Sequence, residues 1–256
     1  MKPVLASINR SYVICLLVFL LFAGIGAYWT HMGQTLYRKE QRFYMNELIQ
    51  SQAYAIERRL QRSLSATRIL AQAVRQHGGM LHDFDAYAAE VLDSLDGIAN
   101  LQLAPDGIVR RIYPLAGNER ALGHNLLGDQ RRAAEAQQAI EQRRLTLAGP
   151  MKLVQGGVAV IGRNPVFLAD GSGERFWGFT SAVILLDDLL AVTDLGPHGR
   201  SEYSYQLSRT HPDSGQEEVF SRSASALTRD SYSVALEVPG SRWQLTMSRA
   251  KPTPKW

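Results

Sequence analysis

Three regimes of apolar patterning follow one another along the chain. Ser11 to Thr30 is an uncharged run of twenty residues between Arg10 and His31, with a centre rich in Leu, Val, Ile and Phe. At a rise of 1.5 Å per residue, twenty helical residues span roughly 30 Å, the thickness of a bilayer's hydrocarbon core. The run therefore predicts a transmembrane helix, with Tyr28 and Trp29 at the far interface as an aromatic belt. No small-x-small cleavage site follows it, which favours an uncleaved anchor over a signal peptide. From Gln34 to Gln76 there is neither Gly nor Pro, and His77-Gly78-Gly79 supplies a stop, so one long stalk helix is expected. Within it Ile49, Ala53, Ile56, Leu60, Ser63, Thr67, Leu70 and Val74 keep alternating spacings of four and three, a heptad seam with two polar positions. Such a seam fits equally a helix packed on its own domain and two stalks paired in a homodimer.

Beyond the glycines the period changes. Asp83 to Leu95 places Phe84, Tyr87, Ala88, Val91, Leu92 and Leu95 on one helical face. Strands are predicted at Ile98–Leu103 and Ile108–Tyr113 around a Pro105-Asp106-Gly107 turn. A helix from about Gln130 to Arg143 follows, then strands at Leu145–Leu147, Met151–Val154 and Val158–Arg163, the last two joined by Gln155-Gly156-Gly157. A loop at Ala169–Gly173 precedes a strand from Phe176 to Ile184 and a short helix near Leu186–Val192. After Pro197–Gly199 the chain reads as strand and turn: Tyr203–Arg209, a His211-Pro212-Asp213 loop, Glu218–Arg222, Tyr232–Val238 and Trp243–Ser248. The predicted class is α+β: an N-terminal transmembrane helix, a long stalk helix and two mixed α/β units in series. The corresponding segments are a tail at 1–10, the membrane helix at 11–30, the stalk at 31–78, a first unit at 79–195, a second at 196–250 and an end segment at 251–256.

Charge sharpens this division. The formal balance of +4 is uneven: residues 1–78 hold ten Lys/Arg against three Asp/Glu, a balance of +7, which leaves −3 for the remainder. The positive excess sits beside the membrane helix, where anionic headgroups attract it. The mildly acidic remainder has no basic patch interleaved with aromatics, so nucleic acid is not an expected partner. The only cysteine, Cys15, lies in the apolar run, which excludes a disulfide framework and a cysteine metal site. Gly-x-Ser-x-Gly, His-Glu-x-x-His, Walker and Gly-x-Gly-x-x-Gly motifs are all absent, the six histidines are scattered, and His77 with His82 straddles a Gly-Gly break. Asp187-Asp188 reads as a solvated pair opening a short helix rather than an acid/base dyad. Neither an enzyme, a metal nor a cofactor is expected.

Five blocks in order resemble the CHASE domain, an extracytoplasmic sensor of histidine kinases, diguanylate cyclases and plant cytokinin receptors. They are Leu103–Val109; Ile112–Leu115 with Gly117-Asn118-Glu119; Gly123–Leu127; Leu147–Pro150; and Gln155-Gly156-Gly157 leading to Arg163–Phe167 and Phe176–Phe179. The resemblance covers about Asp83 to Leu190. It implies that both α/β units are PAS-like, that a small molecule or peptide binds the membrane-distal one, and that the signal passes through the stalk to a histidine kinase or diguanylate cyclase output. A periplasmic dimerisation or protein-interaction module without a small ligand is the alternative. Lys2 and Arg10 are nearly balanced by Arg38, Lys39 and Arg42 across the helix, so orientation rests on the resemblance. It implies a cytoplasmic N terminus, a single pass through the bacterial inner membrane and a periplasmic sensor. Family members continue past a Trp-x-Leu strand into a second membrane helix and an output domain, whereas here Trp243-Gln244-Leu245 leads to Lys251–Trp256, so the sequence as given carries the sensor half.

The resemblance also nominates site residues. In the cytokinin receptors an aspartate holds the purine and a threonine stands in a nearby strand; Asn125 and Ala148 occupy those places here, so cytokinin does not carry over as ligand. Asn125 suits either a polar ligand or a loop cap. Arg163 ends an apolar strand and suits either an anionic or carbonyl-bearing ligand or a salt bridge to a carboxylate such as Glu174. Trp177 and Phe179, two apart in one strand, are expected on one face, as a stacking wall or as core.

Overall fold

The computed structural model describes residues 4–128, 133–153, 156–171, 173–195, 202–211 and 215–250, with side chains from Tyr12 onward. The expected tail at 1–3, the helix start at 130–132, Val154-Gln155, the Pro197–Gly199 and Pro212-Asp213 turns and the 251–256 end lie outside these residues. Two compact units result, Met1–Leu48 and Ile49–Trp256. The first is wholly helical where described, and its residues from Tyr12 to Gly33 are all exposed. Their apolar side chains meet no protein, as a segment covered by lipid requires.

Helix α1 runs without a break from Val4 to Gln76. It ends because Gly78 and Gly79 take left-handed φ values of 60° and 94°. Gly79 N donates to Val74 O at 2.8 Å and Gly78 N to Arg75 O at 3.2 Å, the paired bonds of a Schellman motif, which absorb two of the helix's last carbonyls. All eight seam positions are buried within the chain itself. Both polar ones are bonded, Ser63 Oγ donating to Asp96 O at 3.2 Å and Thr67 Oγ1 to Leu64 O at 2.7 Å, while the backbone carbonyl of Thr67 accepts from Thr180 Oγ1 at 2.8 Å and Asn164 Nδ2 at 3.3 Å. Packing on its own domain is thus the part this seam plays, and the seam is filled without a second stalk.

Two antiparallel sheets follow. The first has the order β2-β1-β5-β4-β3, made of β1 (Asn100–Pro105), β2 (Arg111–Tyr113), β3 (Thr146–Lys152), β4 (Val158–Ala169) and β5 (Glu174–Leu185). One face carries α1 and α2 (Phe84–Ser94). Leu70, Val74, Phe84, Ala88, Leu101, Leu103, Val166 and Ala182 share that core. Gly162 lets β4 lie close against the helix, since a Cβ there would overlap Leu64. The opposite face carries α3 (Ala133–Gln142) and the loop from Pro114 to Gly128. Helix α4 (Leu186–Leu190) leaves β5 with Asp187 and Asp188 exposed in its first turn, as expected. The second sheet has the order β7-β6-β9-β8, from β6 (Tyr203–Thr210), β7 (Glu217–Arg222), β8 (Tyr232–Val238) and β9 (Ser241–Arg249), around buried Leu207, Leu236, Trp243 and Leu245.

Some boundaries differ from the sequence reading. The segment after the Pro105 turn first bends, with Asp106 and Gly107 at φ 54° and 77° and Ile108 N bonded to Pro105 O, so β2 begins only at Arg111. The two strands expected on either side of Gly149-Pro150 are, where described, one strand, β3 (Thr146–Lys152), whose register shifts between Ala148 and Met151. Strand β4 continues past Pro165 to Ala169 because β3 pairs only as far as Arg163, leaving Pro165 with no neighbour on that side to require its missing N–H.

Candidate functional site

Pairing register fixes which side chains share the sheet face beneath α3. Gln102 of β1 pairs with Ser181 of β5, Ser181 with Arg163 of β4, and Arg163 with Thr146 of β3. Paired residues point the same way. Their neighbours Leu103, Thr180, Asn164 and Leu147 alternate away, and Thr180 and Asn164 reach α1. Four polar residues therefore form one row across four strands, with exposures of 6% for Gln102 and 1% each for Ser181, Arg163 and Thr146.

The row lies between two apolar clusters. On one side Ala104 and Phe179 join Val109, Ile112, Leu126, Ala136 and Ala139. On the other Ile161 and Val183 join Ala159, with Met151 and Leu185 against them. A buried polar belt in such a place costs stability unless its groups are bonded. Part of it is: Gln102 Nε2 donates to Asn100 Oδ1 at 2.9 Å, Asn100 Nδ2 to Asn118 Oδ1 at 3.0 Å, and Asn118 Nδ2 to Pro114 O at 3.0 Å. Thr146 Oγ1 donates to Glu135 O of α3 at 3.4 Å, so the helix is seated over the row. Among the described residues Ser181 Oγ, buried in the middle, has no hydrogen-bond partner.

The nominated residues divide. Arg163, Ala148 and Phe179 lie on this face, Ala148 paired with Ile161 one step along from Thr146. Arg163 does not pair with Glu174, which bonds Arg143 instead. Asn125 is exposed in the covering loop and caps it: its Oδ1 accepts from Leu127 N and Gly128 N, each at 3.0 Å. Trp177 does not share a face with Phe179. The β4–β5 register shifts between Val166 and Phe167, and the resulting bulge turns Trp177 to the α1 side, against Leu70 and Val74's core, while Phe176 and Phe179 stack edge-to-face beneath α3.

Asn100, Gln102, Thr146 and Ser181 were not singled out by motif. Their signal is alternation: Asn100 and Gln102 interrupt Leu101, Leu103 and Ala104 at a spacing of two, in a strand whose six residues are nearly all buried.

Helix α3 is also bonded to the second sheet. Glu135 Oε1 accepts from Arg209 Nη1 at 3.0 Å and its carboxylate accepts from Gly149 N at 3.3 Å; Arg209 also bonds Gly149 O and Glu218 Oε2.

Two solved structures share this fold. An extracellular ligand binding receptor from Desulfohalobium retbaense DSM5692 superposes with a TM-score of 0.61 at 14% identity, over 80% of this chain and 40% of that one. Methyl-accepting chemotaxis protein X gives 0.51 at 10% identity, over 83% of this chain and 100% of that one. This chain thus spans less than half the length of the first. Comparison with curated proteins finds no match. The CHASE domain family model matches residues 50–220, which takes in the buried half of α1, the whole first sheet and the start of the second; the chain belongs to the CHASE domain family.

Proposed function

We propose that the chain is the sensor of a single-pass receptor in a bacterial inner membrane, with its CHASE domain in the periplasm. The first sheet, within residues 79–195, acts as a membrane-distal PAS-like unit that binds a small molecule or peptide. The second, within 196–250, acts as a membrane-proximal PAS-like unit. The stalk passes a shift to a histidine kinase or diguanylate cyclase type of output, working as a homodimer through stalk faces other than the filled seam. The observation that carries this reading is the buried polar row under α3, flanked by apolar clusters, an arrangement suited to orienting a ligand in an otherwise apolar site.

The test is an unbiased library of metabolites and short peptides, scored by the thermal midpoint of the full chain in detergent micelles. A ligand should raise the midpoint through linkage. Ala148→Leu, which adds bulk to the same face, should weaken that rise by about tenfold or more in apparent affinity. Hits whose affinity is untouched by Ala148→Leu would place binding elsewhere.

A further inference from the structure

We propose that a cleft between the stalk, the end of α3 and the β8–β9 hairpin is a second binding site, separate from the polar row, and that it takes a small dicarboxylate. The cleft holds about 720 Å³, inside the roughly 300–1,000 Å³ range of small-molecule sites. Leu64 and Arg68 line it from α1, Arg144 and Leu145 from the turn after α3, and Val238 and Pro239 from the hairpin. Bonds between these elements fix its walls: Leu147 N donates to Pro239 O at 2.7 Å, Gln138 Nε2 to Gly240 O at 3.5 Å and Glu237 N to Glu57 Oε1 at 2.9 Å. A site built in advance in this way loses little on ordering when it binds. Two guanidiniums meet the space from different walls, and among the described residues neither is paired with a carboxylate. Arg144 Nε donates to Gln142 Oε1 at 2.8 Å, which leaves its Nη groups to donate. The carboxylate in the lining, that of Glu237, is already held by Arg242 at 2.9 Å. Each planar guanidinium fork takes two carboxylate oxygens at once, and the four apolar side chains offer a surface to a short methylene chain. Arginines on separate walls match two separated carboxylates better than a phosphate, whose charge is gathered around one atom. A molecule bound here would touch α1 and both sheets together, beside the Glu57–Glu237 bond.

The experiment uses the full chain in micelles with succinate, glutarate and adipate at about 10 mM, their monomethyl esters, and inorganic phosphate, all at one ionic strength. At least one dicarboxylate should raise the thermal midpoint through linkage, while its monoester and phosphate should not. Arg68→Gln and Arg144→Gln should each lower the apparent affinity at least tenfold, and the double variant should not respond. Both side chains are exposed, so the unliganded midpoints should stay close to the parent's. A midpoint that falls without ligand in either variant would make the arginine structural and overturn the assignment. Monoesters as effective as diacids, a response to phosphate alone, a response that survives in the double variant, or no response to any dicarboxylate would each overturn it too. The sensor reading is judged separately, by the unbiased library with Ala148→Leu, because Ala148 is not in this lining.

Discussion

Removing the charge of Glu135 tests whether α3 and the second sheet behave as one cooperative body. The pair with Arg209 is nearly closed to solvent, with side-chain exposures of 13% and 7%. Breaking a buried pair from one side commonly costs about 3–5 kcal/mol, because the surviving charge loses its compensation. The geometry makes the cost asymmetric. In Glu135→Gln, Arg209 keeps Glu218 Oε2 at 2.9 Å and Gly149 O, so only one charge-assisted bond weakens and about 1.5–3 kcal/mol is expected. In Arg209→Met, Glu135 is left buried with, among the described residues, the Gly149 N–H as its remaining donor, and the full 3–5 kcal/mol applies, roughly 6–20 °C of midpoint in a domain this size. Glu218→Gln touches a partner exposed to 42% and should cost about 0–1 kcal/mol. Two native tryptophans give the assay, since Trp177 lies in the core of the first sheet and Trp243 in that of the second. In single-tryptophan versions their urea transitions should coincide in the parent and separate in Arg209→Met. Coincident transitions in all variants, or an Arg209→Met cost no larger than that of Glu218→Gln, would refute the reasoning.

Other consequences are simpler to check. The Ser11–Thr30 segment should hold the protein in the membrane fraction through alkaline carbonate, with Met1 or Lys2 first; a soluble product beginning near His31 would contradict the anchor. Single cysteines at Leu60 or Leu70, buried at 2% and 0%, should not cross-link two copies, whereas exposed Tyr54 reports any pairing of stalks; efficient Leu60 cross-linking would mean the seam is not filled by the chain's own sheet. Gly162→Ala forces a methyl into Leu64 and should cost about 1–3 kcal/mol by urea titration, against little change for an alanine at exposed Gly33.

Much of this fold was legible because its signals are local. An uncharged run and a glycine pair mark the ends of the membrane and stalk segments, and period two marks most strands. The seam was legible as a seam but not as to its occupant. Periodicity reports that a face is covered, and only the β4 and β5 side chains reaching Thr67 show by what. Trp177 failed for a specific reason: spacing of two implies one face only while the ladder is regular, and a bulge between Val166 and Phe167 is invisible to a count. Arg163 stands out in the sequence as a charge ending an apolar strand, whereas its companions in the polar row needed the pairing register of four strands, a non-local fact.

The placement of that row bears on how a bound molecule could reach the stalk. Asn164 and Thr180 follow Arg163 and precede Ser181 in β4 and β5, and they point through the sheet to grip one carbonyl, that of Thr67 in α1. A molecule bound at that face would shift that grip, since side chains on opposite faces of a strand move with one backbone. Magnitudes argue that this route is insufficient alone. Inverting a 1:99 equilibrium takes about 5.5 kcal/mol of differential affinity, while two hydrogen bonds carry about 1–3 kcal/mol net. The rest must come from a contact that also distinguishes the two states, and α3 supplies one. It is bonded to Thr146 at one end of the row and, through Glu135, to Arg209 of the second sheet, whose β8 bonds the stalk again where Glu237 N meets Glu57 Oε1 at 2.9 Å. Both routes end on α1, about ten residues apart, so a change at the row would act on the helix at two heights and tilt or rotate it rather than merely loosen one bond.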